Sequence, residues 1–427
     1  MSSQRGRSSW ADSTFSNAHH SQGIPLQEGI RQPRPSRPFT NELMSNTPID
    51  SNESTRVSTP VNDPDLEKPH QKGMHPDAGM HVEEHEMYMG YSIYDPRRPK
   101  LSMRQRLEHF TMAWWTLIMS TGGLSLLIFA QPYQFDGLKD IGLGVYIVTL
   151  ILFAIVFTAM IARYMMYTGT FRSSITHARE GLFLPTFFLS IATVITSSYR
   201  YVVTVGNEGE NLGIRVAFWV YLAVTLSLAI GQYSYVFRTH SMDPKTMMPT
   251  WILPIFPIML TGTIASVISD TQPDQASVAI VYSGLACQGL GISVSFLMYA
   301  HMVGRLMQTG LPNREHRPGL FMNVALLAGV YLWGLALWWF GVALVAVLLK
   351  RPVYFHLGWW AGVFPNTGFT LATITLGKAI NSDVVLKFAV FMSICILLAY
   401  SFVLFHHIRA VLVQDIMYPG RDEDVLE

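Results

Sequence analysis

Long apolar runs follow one another along the chain from Phe110 onward, separated by short polar connections. A helix of roughly 20 apolar residues is long enough to cross the hydrocarbon core of a bilayer. The pattern predicts an all-α, polytopic membrane protein. Nine such runs are present, at Phe110–Ala130, Ile141–Ala162, Leu182–Val205, Val216–Phe237, Trp251–Ile268, Val278–Val303, Leu320–Leu349, Trp359–Leu376 and Val384–Val413.

The segment before the first run has a different character. Residues 1–95 are rich in Ser, Pro, Asn, His and charged residues and lack apolar periodicity. Such a segment buries too little apolar surface to offset the entropy of ordering it, so we expect a disordered cytosolic tail. A transmembrane domain over 96–417 and a short cytosolic tail over 418–427 complete the predicted organisation.

The composition limits the classes of function that the chain can have. Hydrophobic residues make up 50% and charged residues 14% of the chain, against about 25% charged in an average soluble domain. The net charge of +1 predicts no nucleic-acid partner, and Cys287 and Cys395 lie inside apolar runs, so no disulfide is expected. The runs contain no paired carboxylates, metal cluster or nucleophile–base set, so we expect neither an enzyme nor a cofactor.

Three residues of the tail have a spacing that is typical of metal ligands. A helix would place His81, Glu84 and His85 on one face, but their order differs from the His-Glu-x-x-His of zinc proteases. We therefore interpret the segment as solvated and expect no metal site.

Basic residues predict the orientation, because short cytosolic loops carry an excess of Lys and Arg. They are concentrated before the first run and after the second, fourth and sixth runs, at Arg97, Arg98, Lys100, Arg104, Arg106, Arg163, Arg172, Arg179, Arg238, Lys245, Arg305, Arg314 and Arg317. The alternation predicts a multi-pass protein with a cytosolic N-terminus.

The alternation breaks at the seventh run, which is followed by another basic pair, Lys350-Arg351. A helix over residues 319–349 would be about 46 Å long at roughly 1.5 Å per residue, whereas two crossings and a turn need more than about 40 residues. The charge pattern therefore requires ten membrane crossings, whereas the chain has nine apolar runs. Either the last runs insert inverted, or the seventh run does not cross, or one helix is missing.

Several motifs in fixed order carry a family resemblance. They are His109-Phe-Thr-Met-Ala-Trp-Trp115, Met119-Ser-Thr-Gly-Gly123, Trp251-Ile-Leu-Pro-Ile-Phe-Pro257, Thr271-Gln-Pro273, Gln288-Gly-Leu-Gly291, Arg317-Pro-Gly-Leu-Phe-Met322, Leu332-Trp-Gly-Leu-Ala-Leu-Trp338, Trp359-Trp-Ala-Gly-Val-Phe-Pro-Asn366 and Tyr418-Pro-Gly-Arg-Asp-Glu-Asp424. Over residues 100–424 the chain resembles the fungal malic acid transport proteins of the tellurite-resistance/dicarboxylate transporter family, which includes plant slow anion channels.

The resemblance implies ten helices in five hairpins, with the odd-numbered helices lining a central pore, and a homotrimer in which each subunit has its own pore. In this chain Phe321-Met322 runs almost directly into the helix-eight-like Val330-Tyr-Leu-Trp-Gly-Leu. Most of the family's helix seven is therefore expected to be deleted near residues 322–330, the place that the charge pattern also indicates.

The candidate pore residues come from two sources. The resemblance makes Phe364 the plug of the pore, where an apolar ring blocks ions by excluding their water. Gly, Pro and polar residues inside spans mark backbone or hydroxyl groups that need protein around them. The pore-lining candidates are Thr121, Gly122, Gly123, Pro254, Pro257, Pro365, Asn366 and Thr370. Tight helix packing, a structural kink or a hydroxyl bonded to its own helix are the alternatives. Arg200 either attracts anions at the mouth or snorkels to the headgroups.

The leading functional hypothesis is transport of C4-dicarboxylates, of the malate, succinate and fumarate class, across the plasma membrane. A dianion entering a negative cell works against about 4.6 kcal/mol per 100 mV, so uptake needs protons as a partner, the monoanion or a steep gradient. The alternatives are sulfite export, as by fungal sulfite pumps of the same family, and a membrane receptor, scaffold or inactive truncated isoform.

Overall fold

The computed structural model describes residues 98–203, 207–239, 243–312, 317–318, 320, 330–349, 352 and 354–421. Within these residues the regular structure is helical and contains no strand. The all-α, polytopic fold class is confirmed. The predicted tail over 1–95, with His81, Glu84 and His85, lies outside the described residues, as does the Lys350-Arg351 pair.

Each of the nine apolar runs contains a long helix. In chain order the helices are α1 Met103–Glu108, α2 Trp115–Ala130, α3 Leu138–Met166, α4 Thr170–Thr176, α5 Leu184–Tyr201, α6 Glu208–Thr239, α7 Phe256–Ile268, α8 Asp274–Thr309, α9 Val330–Leu349, α10 Phe364–Ala379 and α11 Asp383–Leu412. Within the described residues, seven stretches are long and apolar enough to cross a membrane, and Trp333–Leu349 is a shorter apolar helix. Helix α10 is not among the seven because it has only 16 residues, and Asn366 and several threonines make it less apolar than Trp333–Leu349.

The long helices form an inner and an outer layer. Most residues of α2, α5 and α7 are buried, whereas α3, α6, α8 and α11 expose most of their apolar side chains, as helices facing lipid do. Helix α10 packs on α2, α2 packs on α5, and α5 packs on α7. Helices α7 and α10 make no extensive contact with each other within the described residues. The inner layer is therefore an open arc of four helices.

The two ends of the transmembrane domain are bound to each other. The guanidinium of Arg98 donates to the Gln414 carbonyl at 2.6 Å, and that of Arg106 donates to the Val411 carbonyl at 2.6 Å. The Gln414 carboxamide also exchanges two hydrogen bonds with the backbone of Leu101. The start of α2 and the end of α11 therefore lie at the same end of the bundle. We call this end, which carries Arg98 and Arg106, the basic end.

The direction of α9 shows where the chain lacks one membrane crossing. The Arg317 guanidinium donates to the carbonyls of Pro312, just after α8, and of Ala346, near the end of α9, both at 3.0 Å. Both helices therefore end on the same side of the bundle. For α8 this is the basic end: Thr309 contacts the carbonyl of Lys245, which follows α6, and Gln232 near the end of α6 donates to Gly181, next to the residues that contact the start of α2. Within the described residues, α2, α5, α7 and α10 run away from the basic end, and α3, α6, α8, α9 and α11 run toward it.

One helix running away from the basic end is therefore lacking between Leu320 and Val330. Only nine residues join these two positions, and they lie outside the described part of the chain. Nine residues in a helix would rise about 14 Å, less than half of a hydrocarbon core of roughly 30 Å. The charge pattern and the order of helix directions thus point to the same segment. The last two runs are not inverted, since α10 begins at the basic end, where the Phe355 amide donates to Asp415.

Candidate functional site

A cavity of about 570 Å³ lies inside the arc of inner helices, and we call it the main cavity. Its walls come from α2, α5, α7 and α10, with Gln288 reaching in from α8 and Trp333 from α9. No described residue that lines it carries a charge. Its remaining hydrogen-bonding side chains are those of Thr193, Thr196, Thr263, Ser266, Thr367 and Thr375. The cavity is thus a mostly apolar space with a few neutral polar groups.

A second, small cavity of about 20 Å³ lies next to the start of α10. This volume holds about one water molecule. Phe364, the first residue of α10, and Phe256, the first residue of α7, line both the small and the main cavity. The two rings therefore lie between the cavities. We call the region formed by the two cavities and these rings the passage.

The start of α10 is anchored on several sides, which positions Phe364. A turn of 3-10 helix over Leu357–Gly362 leads into it, and Pro365 occupies the first helical turn, where proline needs no amide hydrogen. The buried Trp360 donates its indole N–H to Nδ1 of His407 on α11 at 3.0 Å. The Asn366 carboxamide donates to the Gly362 carbonyl at 2.8 Å. The backbone around Phe364 is therefore bound to α11 and to its own preceding turn.

The two adjacent glycines of α2 face different neighbours. A β-carbon on Gly123 would lie 3.4 Å from the Phe364 ring and 3.5 Å from Thr367 on α10, so Gly123 faces the Phe364 ring and lines the main cavity. A β-carbon on Gly122 would lie 2.8 Å from the Thr193 hydroxyl and 3.3 Å from Thr149. Gly122 therefore lies where α2, α3 and α5 pack closely against one another.

Two other candidates, Thr121 and Pro257, lie in contacts between helices, and two more are bonded or buried within their own helices. The Thr121 hydroxyl lies 3.0 Å from the Tyr400 hydroxyl of α11. The Pro257 carbonyl accepts from the Tyr221 hydroxyl of α6 at 3.0 Å. The Thr370 hydroxyl donates to the Asn366 carbonyl of its own helix at 2.8 Å. Pro254 is buried in the 3-10 helix Pro249–Ile255.

The structure thus brings only some of the candidates to the passage. Gly123 and Phe364 line the main cavity, and Pro365 lines the small one. The candidates that line neither are Thr121, Gly122, Pro254, Pro257, Asn366 and Thr370. Their functional roles stay predictions, and their contacts are those of helix packing.

Arg200 lies at the end of the bundle opposite the basic end. It is exposed, with its guanidinium 5.4 Å from the centre of the Phe129 ring and 5.7 Å from that of Tyr199. Lys139 also lies over the Phe129 ring, at 5.9 Å, and the Lys378 ammonium lies 3.5 Å from the Ala130 carbonyl. Three cations therefore lie around the last turn of α2, close to the part of the main cavity that Leu376 and Ala379 line. The sequence analysis selected one of them, Arg200.

A buried ion pair holds the start of α2 at the basic end. Arg163 of α3 lies 2.8 Å from the Glu180 carboxylate, and both side chains are almost fully buried. Glu180 also accepts from the Met112 amide, and Arg163 donates to the carbonyls of Glu108 and Phe110. The pair therefore fixes the entry of the chain into the first inner helix.

Two residues of the passage were missed by sequence reasoning, Phe256 and Gln288. Phe256 had a signal, because α7 and α10 both begin with Phe-Pro, as Phe256-Pro257 and Phe364-Pro365. Gln288 lies on an outer helix, and its reach into the main cavity depends on the side-chain-free Gly262 beside it.

Comparison with known proteins gives matches over most of the chain. The family described as voltage-dependent anion channel matches residues 109–328 and 323–408. The two matched stretches meet at 323–328, where the helix directions show the missing helix. Two malic acid transport proteins of Schizosaccharomyces pombe, the second named as putative, are 33% and 30% identical, covering 78% and 77% of this chain and 85% and 86% of their own length. A sulfite efflux pump of Trichophyton rubrum is 25% identical over 65% of this chain and 84% of its own.

Proposed function

Because the chain belongs to the voltage-dependent anion channel family, we propose that it carries C4-dicarboxylates such as malate across the plasma membrane. The passage runs through the main and the small cavity and is closed by Phe364 and Phe256. The observation that carries this proposal is the position of the two rings between the cavities, at the first residues of two inner helices. Opening requires the rings to move apart so that water can wet the constriction.

The electrostatics of the passage suit an anion that passes without being trapped. Arg200, Lys139 and Lys378 raise the local anion concentration at the end of the main cavity near the last turn of α2, as cations at a mouth do. No charged side chain among the described lining residues holds the anion deeper inside. Conduction needs binding that is favourable enough for entry and weak enough for release.

The proposed orientation places the basic end in the cytosol, since short basic loops favour that side. The tail over 1–95 and the segment over 418–427 then lie in the cytosol as well. A malate dianion leaves the cell down a membrane potential worth about 4.6 kcal/mol per 100 mV, so the uncoupled passage favours export. Uptake uses the monoanion or a coupled proton, which acid medium supplies. A homotrimer, with a passage in each subunit, is the proposed assembly.

The test is radiolabelled anion flux with the purified full-length protein in liposomes. We expect malate flux above that of protein-free liposomes, competed by unlabelled succinate and fumarate and weakly by sulfite. Flux of sulfite without malate would favour the second candidate function, sulfite export, which the sulfite efflux pump among the relatives supports. Flux of neither anion would overturn transport and leave a receptor or scaffold.

A further inference from the structure

Most hydroxyl groups of the main cavity have no hydrogen left to donate to an anion. A hydroxyl has one hydrogen to donate. In five of the six lining hydroxyl residues, this hydrogen goes to a carbonyl of their own helix at 2.8–3.0 Å; these residues are Thr193, Thr196, Ser266, Thr367 and Thr375. Trp333 likewise gives its indole N–H to the Thr373 hydroxyl at 2.9 Å. These groups present lone pairs to the cavity, and lone pairs repel a carboxylate.

Gln288 and Thr263 differ from the other polar lining residues. Neither side chain makes a hydrogen bond with any part of the chain that the structure describes. The Gln288 carboxamide carries two N–H donors, and the Thr263 hydroxyl carries one. The donors available to an anion in the main cavity are therefore concentrated at these two residues.

Gly262 creates the opening through which Gln288 reaches the cavity. Gln288 belongs to α8 in the outer layer, and it lies across Gly262 of α7. A β-carbon on Gly262 would lie 2.6 Å from the Gln288 β-carbon and 2.7 Å from its Oε1. Real β-carbons do not approach so closely, so any side chain at position 262 displaces Gln288. Thr263, the next residue of α7, lines the same cavity.

We infer that Gln288 binds a carboxylate group of the transported anion through its side-chain N–H donors, with the Thr263 hydroxyl as a second donor. This inference rests on the proposed function. A neutral carboxamide donates directional hydrogen bonds but carries no charge. It can therefore select a carboxylate and still release it. Hydrogen bonds to a charged group are stronger than those between neutral groups, and losing this one raises KM about tenfold.

The test compares the concentration dependence of malate flux for variants of the full-length protein in liposomes. Gln288→Leu keeps the approximate size of the side chain and removes both donors. Gln288→Glu keeps the shape and places a negative charge in the cavity. Gly262→Ala leaves Gln288 intact and displaces it. We expect KM to rise about tenfold for Gln288→Leu and further for Gln288→Glu, with a smaller rise for Gly262→Ala and little change in the maximal rate.

Gln275→Leu is the matched control, because Gln275 is an exposed glutamine of the same helix outside the cavity. Its KM should equal that of the unaltered protein. A KM for both Gln288→Leu and Gln288→Glu within twofold of the unaltered protein, with all variants folded, overturns the inference while malate transport stands. If Gln288→Leu fails to fold, the near-isosteric Gln288→Glu decides alone. Absence of malate flux in the unaltered protein overturns the proposed function and this inference together.

Discussion

A β-carbon on Gly123 would lie 3.4 Å from the ring of Phe364, so the residue of α2 that faces this ring has no side chain. The ring fills the space between two inner helices, α2 and α10, and Phe256 of α7 lies at the same level between the two cavities. The small cavity beside the rings holds about one water molecule, and we propose that this arrangement is the closed state. In this proposal, opening depends on movement of the rings, because no described residue that lines the main cavity carries a charge.

Removing either ring should raise anion flux. We expect Phe364→Ala and Phe256→Ala each to increase malate flux several-fold, because a smaller side chain lets water enter the constriction. The double variant should exceed both. The control is Phe391→Ala on α11, where the ring is 61% exposed on the outer layer. Flux that stays level or falls in Phe364→Ala, at equal protein content, would show that this ring is not the plug.

The adjacent glycines of α2 should respond differently to the same change. Gly122→Ala places a β-carbon 2.8 Å from the Thr193 hydroxyl, and such overpacking typically costs about 1–3 kcal/mol. Gly123→Ala places one at van der Waals distance from Phe364 and hinders movement of the ring. We expect lower thermal stability for the first variant, and near-normal stability with reduced flux for the second. The reverse assignment would contradict the described packing of α2.

Arg200→Ala tests the cations at the mouth. If Arg200 attracts anions, its removal lowers flux at low ionic strength, and the difference disappears near 1 M salt, where the screening length is about 3 Å. Lys378→Ala should behave in the same way, since its ammonium also lies near the end of α2. Flux measured against salt concentration decides. A deficit that does not depend on salt would leave snorkelling to the headgroups as the role of Arg200.

Breaking the buried ion pair should destabilise the protein. Arg163→Met leaves the Glu180 carboxylate buried without its partner, and removing one member of such a pair typically costs about 3–5 kcal/mol. Thermal unfolding in detergent should therefore begin at a lower temperature. Arg163→Met combined with Glu180→Leu should recover part of the loss, because no charge remains buried. If the double variant is no more stable than the single one, the backbone hydrogen bonds of Arg163 outweigh the ion pair.

Completing the inner layer should increase transport. Four described inner helices run away from the basic end, and the arc is open between α7 and α10. We expect a version with a tenth helix inserted between Leu320 and Val330 to carry more malate than the chain as it stands, because polar groups of the inner helices gain shielding from lipid. Flux at matched expression and accessibility of C-terminal tags in intact cells are the measurements. Equal flux from both versions, with an intracellular C-terminus in each, would refute this prediction.

The sequence by itself determined the helices, their approximate limits and the place where one crossing is lacking. These properties follow from local quantities. Apolar runs of sufficient length specify helices in lipid, because backbone groups there must be satisfied within the segment. The break in the alternation of basic loops came from counting charges alone, and the contact of Arg317 with Ala346 now shows the same break. The sequence resemblance also selected Phe364, which lines both cavities.

Only the tertiary structure decided which face of each helix turns toward the passage. Gly122 and Gly123 are neighbouring glycines and look alike in the sequence. In a helix of 3.6 residues per turn, however, successive residues point in directions about 100° apart. Sequence analysis therefore predicts the same pore-lining role for both glycines, and only the packing of α2 distinguishes their neighbours. Gln288 reaches the passage because α7 and α8 meet at Gly262. Such a contact depends on how two helices rotate and cross, and neither helix carries that information alone.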